Sequence, residues 1–281
     1  MKRTYKILAS LLLLASLVAC SGDKNPSDGE VKEENPTIEE KSDKDVEKST
    51  EDEGKEEGKE KDQGKDIDTE DSSADLDSDK VLDEMLEASK SLKKLHSNTT
   101  FTIDDKEEVT TQVMDGEGEF DPETGEVLNG KYSLNNSDGS YQIFDFVGDE
   151  EGTGHLEQGN ADGSMTKESS TGGGYFISPN YFELVRIINS MKGDLDVEDA
   201  GDSYKLILKS QNTDLLGLFK DQFSIEFTNF DQHETEKGFE ILVDKESKLL
   251  TDLKLSFEIE DEERGYLYLE VLSKFDKFEF K

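Results

Sequence analysis

Phe239-Glu-Ile-Leu-Val-Asp-Lys-Glu-Ser-Lys-Leu-Leu-Thr-Asp-Leu-Lys-Leu-Ser-Phe-Glu-Ile-Glu260 decides the fold. Phe239, Ile241 and Val243 alternate with polar or outward positions. After the polar turn Asp244–Lys248, Leu249, Thr251, Leu253, Leu255, Phe257 and Ile259 share one side of a long segment. Asp252, Lys254, Ser256, Glu258 and Glu260 share the other. A period of two with one apolar and one wet side is the mark of antiparallel strands packed on a core by one face only. The turn between the two runs makes them a hairpin.

The pattern extends in both directions. RGYLYLEVLSKFDKFEF (264–280) adds a further strand, and Phe223, Ile225 and Phe227 alternate before the hairpin. Upstream, NTDLLGLFKDQF reads as a short helix with Asn212 or Thr213 as cap and Leu215, Leu216 and Phe219 apolar. DSYKLILKS reads as a strand. The stretch from Ser178-Pro179 to Gly193 reads as a helix with proline in its first turn. Phe182, Val185, Ile188 and Met191 form its stripe. KYSLNN and SYQIFDFV are strands about the turn Ser137-Asp138-Gly139. Residues 148–174 hold eight glycines and little apolar material, and read as weak edge strands with loops. VLDEMLEASKSLKKLHS places Val81, Met85, Ala88, Leu92 and Leu95 on one helical stripe. NTTFTID and KEEVTTQV follow as strands. The expected fold class is therefore α+β, a curved antiparallel sheet with helices on its concave apolar face.

The N-terminal quarter differs. Lys2, Arg3 and Lys6 precede an apolar run, Ile7 to Ala19, too short to span a bilayer and patterned as a secretory signal. Leu17-Val18-Ala19-Cys20 resembles the bacterial lipoprotein box. The resemblance implies cleavage before Cys20 and diacylglycerol on its thiol, and a mature chain held at the outer side of a cell membrane, the pattern of a Gram-positive lipoprotein. Two acyl chains anchor stably where one does not. Cys20 is the only cysteine, so neither an intramolecular disulfide nor a cysteine-based zinc site can form. Residues 21–78 carry 23 acidic residues, 9 lysines and no aromatic. Such a segment buries too little apolar surface to offset its ordering entropy and reads as a disordered tether. A neutral chain of that length would span roughly 40–45 Å. The expected organisation is a signal peptide at 1–19, lipidated cysteine and acidic linker at 20–78, and a folded domain at 79–281.

The net charge of −37, from 69 acidic against 32 basic residues, repels nucleic acid. Catalytic and metal signals are missing. His96, His155 and His233 follow no metal spacing. Asp115-Gly-Glu-Gly-Glu119 and Asn160–Ser164 lack the pattern of a calcium loop and read as solvated turns. Gly172-Gly173-Gly174 lacks the Lys-Ser/Thr of a phosphate loop. No enzyme, cofactor or metal is expected.

The helix VLDEMLEASKSLKKLHS, the following strands and the hairpin about Asp244–Lys248 make residues 79–281 similar to the LolA/LppX-like carrier lipoproteins. That resemblance implies a half-barrel sheet with helices across its open side and a hollow that holds acyl chains. The residues facing such a hollow would be Phe182, Val185, Ile188, Leu216, Phe219, Ile225, Phe227, Leu253, Leu255 and Phe257. Residues 148–174 depart from the family by being more polar than a hollow lining. Two functions follow: a carrier of lipid or another hydrophobic ligand, or a cell-surface interaction module in which the same faces close on themselves and exposed loops meet an unidentified protein partner.

Overall fold

The computed structural model describes residues 76–281, apart from 150, 173, 225–234 and 262–264. Cys20, the signal sequence, most of the acidic linker, Ile225 and Phe227 lie outside the described residues.

Helix α1 (Ser78–Ser89) is capped by Asp77, whose carboxylate accepts from the amides of Asp79 at 3.0 Å and Lys80 at 3.3 Å. It buries Val81, Leu82 and Met85. The helix ends eight residues before the expected end at Ser97, because Leu92 opens a strand, β1 (Leu92–Asp104). The three-residue spacing of Leu92 and Leu95 is produced by strand irregularity. The register with the neighbouring strand shifts between Leu92 and Lys94 and again between Lys94 and His96. Such bulges let both leucines face inward. From there Leu95, Ser97, Thr99 and Phe101 alternate inward.

Strands β2 (Val109–Phe120), β3 (Val127–Asn136), β4 (Tyr141–Val147), β5 (Thr153–Gly159) and β6 (Met165–Thr171) continue from β1 as a meander. Asp115–Glu119 lies within β2, not in a solvated turn, while Asn160–Ser164 does form the β5–β6 turn. Helix α2 (Tyr181–Ser190) follows, capped by Asn180, so Pro179 precedes the cap and does not sit in the first turn. Strands β7 (Leu195–Ala200) and β8 (Ser203–Leu208) come next. Then helix α3 (Leu215–Phe223) is capped by Asp214, one residue beyond the expected Thr213. Phe223 closes this helix and does not begin a strand. Strands β9 (Glu236–Asp244), β10 (Leu250–Asp261) and β11 (Gly265–Phe280) complete the chain.

All eleven strands belong to one antiparallel sheet, open at both sides, in the order β6-β5-β4-β3-β2-β1-β11-β10-β9-β8-β7. The first and last strands of the domain are therefore neighbours at its centre, with Thr99 opposite Ser273 and Phe101 opposite Val271. Residues directly opposite one another share a face, so the register traces the inner surface. One row reads Phe239–Leu255–Val271–Phe101–Gln112, and all five residues are buried. A second reads Leu206–Ile241–Leu253–Ser273–Thr99–Met114–Leu134. The helices lie on this face. Phe182 of α2 meets Phe120 edge-on at 5.5 Å between ring centres, Tyr181 meets Phe275 at 5.0 Å, and Phe219 of α3 meets Phe239 at 5.7 Å. The curved sheet with helices over one apolar face is the architecture expected.

The expected face of β10 is broken at its start. A register shift between Leu250 and Asp252 buries both Leu249 and Leu250 and leaves Thr251 half-buried. The polar outer face carries ion pairs such as Lys254–Glu270 at 3.1 Å.

The glycines of β2 have a packing role. Gly116 lies directly opposite Tyr132, and the tyrosine ring rests across Gly116 and Gly118. A methyl group built at Gly116 would come within 2.3 Å of the Lys131 carbonyl and 2.6 Å of the Tyr132 ring. Backbone cannot yield there as a flexible side chain would. Gly116→Ala is therefore expected to destabilise the domain by about 2 kcal/mol, as overpacking does, seen as a lower urea midpoint with an unchanged slope.

Candidate functional site

Eight of the ten residues expected to line a hollow are described, and the structure brings them together on the inner face. Phe182, Val185 and Ile188 project from α2, Phe219 from α3, and Leu253, Leu255 and Phe257 from β10. None of these seven is more than 2% exposed, and all belong to a single apolar core. Leu216 is half-buried at the margin of that core. Beneath α2 and α3, the C-terminal half of the inner face is packed side chain to side chain.

The same face changes character towards β1, β2 and β3. Ser97, Thr99, Gln112, Tyr132 and Ser273 are all buried there, among Phe101, Met114 and Leu134. Some of their polar groups are paired. Thr99 Oγ1 and Ser273 Oγ share a hydrogen bond of 2.9 Å, and Gln112 Nε2 donates to Asn136 Oδ1 at 2.7 Å. Ser97 Oγ, Gln112 Oε1 and the Tyr132 hydroxyl have no partner of hydrogen-bond geometry. The Ser97 and Tyr132 hydroxyls are neighbours, and Ser97 opposes the rise that burial imposes on the Tyr132 phenol. Burial, reinforced by the charge of Glu117, pushes the Tyr132 phenol far above its usual range, so it stays protonated. The result is a band of uncharged hydroxyl and amide groups crossing an otherwise apolar surface.

No protein-family model matches the chain, and no curated protein does. Solved structures match by shape at low similarity. MucB in complex with MucA(peri) matches at 13% identity and a TM-score of 0.25, over 71% of this chain, which spans 56% of the MucB chain. A DUF1329 family protein from Desulfovibrio piger matches at 10% identity and 0.23, over 73% of this chain and 94% of that one. A putative outer membrane lipoprotein-sorting protein domain from Vibrio parahaemolyticus matches at 8% identity and 0.25, over 72% and 92%. Scores of this size carry no ligand or activity across to this chain.

A lysine is part of the inner face. Lys237 is 3% exposed. It stands opposite Phe257, at the inward position before Phe239. Its ammonium donates to the carbonyls of Gln211 at 2.7 Å and Thr213 at 2.9 Å. Its backbone N–H donates to Gln211 Oε1, and its carbonyl accepts from Gln211 Nε2. Burial lowers the ammonium pKa, and the Asp214 carboxylate opposes that shift. The clamp fixes the segment that leads into α3. Strict alternation from Val243 back through Phe239 points to position 237 as inward, the one signal available in the sequence.

Elsewhere, His96 sits on the outer face with Nδ1 2.7 Å from Asp276 Oδ1 and Nε2 3.3 Å from Asp115 Oδ2. The two ring nitrogens address different carboxylates, so the three side chains do not converge on one point. No group of three or more metal-binding side chains gathers among the described residues. An open depression of about 700 Å³ lies between the end of α2 and the start of α3, lined by Ser190, Met191, Asp194, Ser210, Thr213 and Asp214. It does not coincide with the expected lining residues.

Lys237→Ala strips two partly buried carbonyls of their donor. It is expected to cost about 2 kcal/mol, the usual penalty for stranding such groups. Urea unfolding gives the total, and amide exchange should accelerate first in α3 and the segment before it.

Proposed function

We propose that this chain is a lipid-anchored, extracytoplasmic lipoprotein whose folded domain carries a hydrophobic ligand between its sheet and helices. The anchor is argued from the sequence: a short secretory signal, the Leu17–Cys20 box, and a single cysteine at the cleavage point. The acidic segment that precedes the Asp77 cap of α1 serves as the tether. Labelled palmitate should enter the wild-type protein and not the Cys20→Ser variant. A wild type that takes up no label overturns the anchor.

The observation that carries the ligand reading is the uncharged polar band of Ser97, Gln112 and Tyr132. Buried polar groups without partners are uncommon, and each calls for a water or ligand atom. Here they sit beside Phe101, Met114 and Leu134, so the complementary molecule has an apolar body and a hydroxyl, ester or amide end. On this reading the polar end of the ligand lies on the β1–β3 side of the same face, and residues such as Phe182 and Leu255 support the cover above it.

A second reading has its own support. The close packing of Phe182, Val185, Ile188, Phe219, Leu253, Leu255 and Phe257 suits a closed domain that acts by meeting another protein. Native mass spectrometry of the gently extracted protein, offered monoolein as probe, separates the two. The carrier reading expects an adduct beyond the covalent anchor, weakened severalfold in Tyr132→Phe, where the hydroxyl contributes about one hydrogen bond. A clean mass in every preparation and no uptake of monoolein leaves the interaction module.

A further inference from the structure

The two edges of the sheet are built differently. An open sheet edge exposes unpaired backbone donors and acceptors, and proteins blunt such edges with charge, proline, bulges or cover. Edge strand β7 is charged: Asp196, Glu198 and Asp199 occupy three of its six positions. Edge strand β6, Met165-Thr-Lys-Glu-Ser-Ser-Thr171, carries one lysine and one glutamate, no proline and no register shift against β5. Every residue but Ser170 is exposed, so β6 contributes almost nothing to the core. A regular seven-residue strand is thus maintained mainly by pairing to β5, with the Tyr175 hydroxyl on the Ser170 carbonyl at 3.0 Å and the Tyr141 hydroxyl on Met165 Sδ at 3.7 Å beside it.

The register tells which backbone groups are open. Asn160 N–H donates to Ser164 O at 2.9 Å, which makes 160 and 164 a hydrogen-bonded pair in the ladder that continues to Thr153 and Thr171. Such pairs alternate with non-bonded ones. Residues 166, 168 and 170 therefore direct their N–H and C=O towards β5. Met165, Lys167, Ser169 and Thr171 direct theirs away from the sheet. Side-chain charge supplies the second element. Lys167 is held by Glu157 at 2.7 Å on the outer face. Glu168, on the inner side opposite Leu156, is exposed, and no cation pairs with it among the described residues. Because Glu168 faces β5 with its backbone, it would form a non-bonded pair with any added strand. In that pair, opposing side chains approach most closely.

We propose that β6 is a docking edge for an extended, cationic peptide segment of a protein partner, which adds as a twelfth antiparallel strand with a Lys or Arg opposite Glu168. Main-chain bonds from the four outward residues supply affinity, and the charge pair sets register. A second copy of this chain is a poor occupant, because a net charge of −37 on each copy opposes association. The proposal deepens the interaction-module reading and is independent of ligand carriage.

The test is amide hydrogen exchange on the full chain with a capped probe peptide, Thr-Val-Thr-Lys-Thr-Val-Thr, and its counterpart with Glu at the centre. With the lysine peptide at saturation, the amides of Met165, Lys167, Ser169 and Thr171 should exchange about tenfold more slowly, the change that one backbone bond of ordinary net strength produces. The glutamate peptide should protect them less. Ser169→Pro removes one outward N–H and the 2.8 Å contact of Ser169 Oγ with His155 Nδ1, leaves the backbone ladder to β5 in place, and should lose the protection while β4 and β5 amides stay as in wild type. Should those amides also speed up, Glu168→Lys replaces it as the deciding variant and should reverse the peptide preference. Absence of protection at saturating peptide, protection centred elsewhere, or equal response to both peptides overturns the proposal.

Discussion

The pairing of β1 with β11 holds the domain together. Each of the two meanders, β1–β6 and β7–β11, is built from neighbours in sequence, and each could register its own hairpins. Only the central seam makes them one sheet. Thr99 and Ser273, 174 residues apart, meet there in a buried hydrogen bond. Closing so long a loop costs only slightly more than closing one of half the length, because loop entropy grows logarithmically. The kinetic penalty is heavier, since pairing between distant segments must form before it is rewarded. The gain lies in rows such as Phe239–Leu255–Val271–Phe101, which run unbroken across the seam and place the helices' apolar stripes over both halves.

How much of this is legible without coordinates depends on whether period and burial agree. In β9 and from Leu253 to Phe257 of β10 they do. Phe239, Ile241 and Val243, then Leu253, Leu255 and Phe257, alternate strictly, and each is buried. Two bulges after α1 set Leu92 and Leu95 three apart, a helical spacing on a strand, so the sequence pattern continues the helix eight residues past its end. Asp115–Glu119 misled for a different reason. Glycine and acid in alternation look like a turn, but Gly116 and Gly118 are small so that Tyr132 can lie across them from the next strand. Strand β7, with only Leu195 fully buried, carries almost no pattern of its own and exists because β8 offers a ladder.

The site was legible to a lesser degree, and the cause is physical. Alternating apolar residues report that a face is sheltered from water. They do not distinguish shelter by a helix from shelter by a ligand. Phe182, Ile188, Phe219 and Leu255 are buried together in one apolar core. The polar band escaped notice because Ser97 and Thr99 fell at the junction between the misread helix and the strand. The inward parity of Ser97 becomes visible only once β1 starts at Leu92. Lys237 escaped because a lysine before an apolar run reads as solvent-facing, whereas backbone carbonyls of Gln211 and Thr213 satisfy its charge in place of water.

These differences divide the domain by stability. Strands β8 to β11, with β1, present aliphatic and aromatic rows beneath the helices, fixed further by the Lys237 clamp. Beyond β2 the inner face thins. Tyr132 covers Gly116 and Gly118, Tyr175 covers Gly154, and by β6 no side chain is buried at all. Local opening free energy follows buried apolar contact. The C-terminal half is therefore the platform, and the N-terminal meander is the part whose conformation a bound molecule can shift at least cost. Both the unpartnered hydroxyls of β1–β3 and the open backbone of β6 belong to that meander. The proposed ligand and the proposed peptide thus both engage the portion of the sheet that has the least packing to lose.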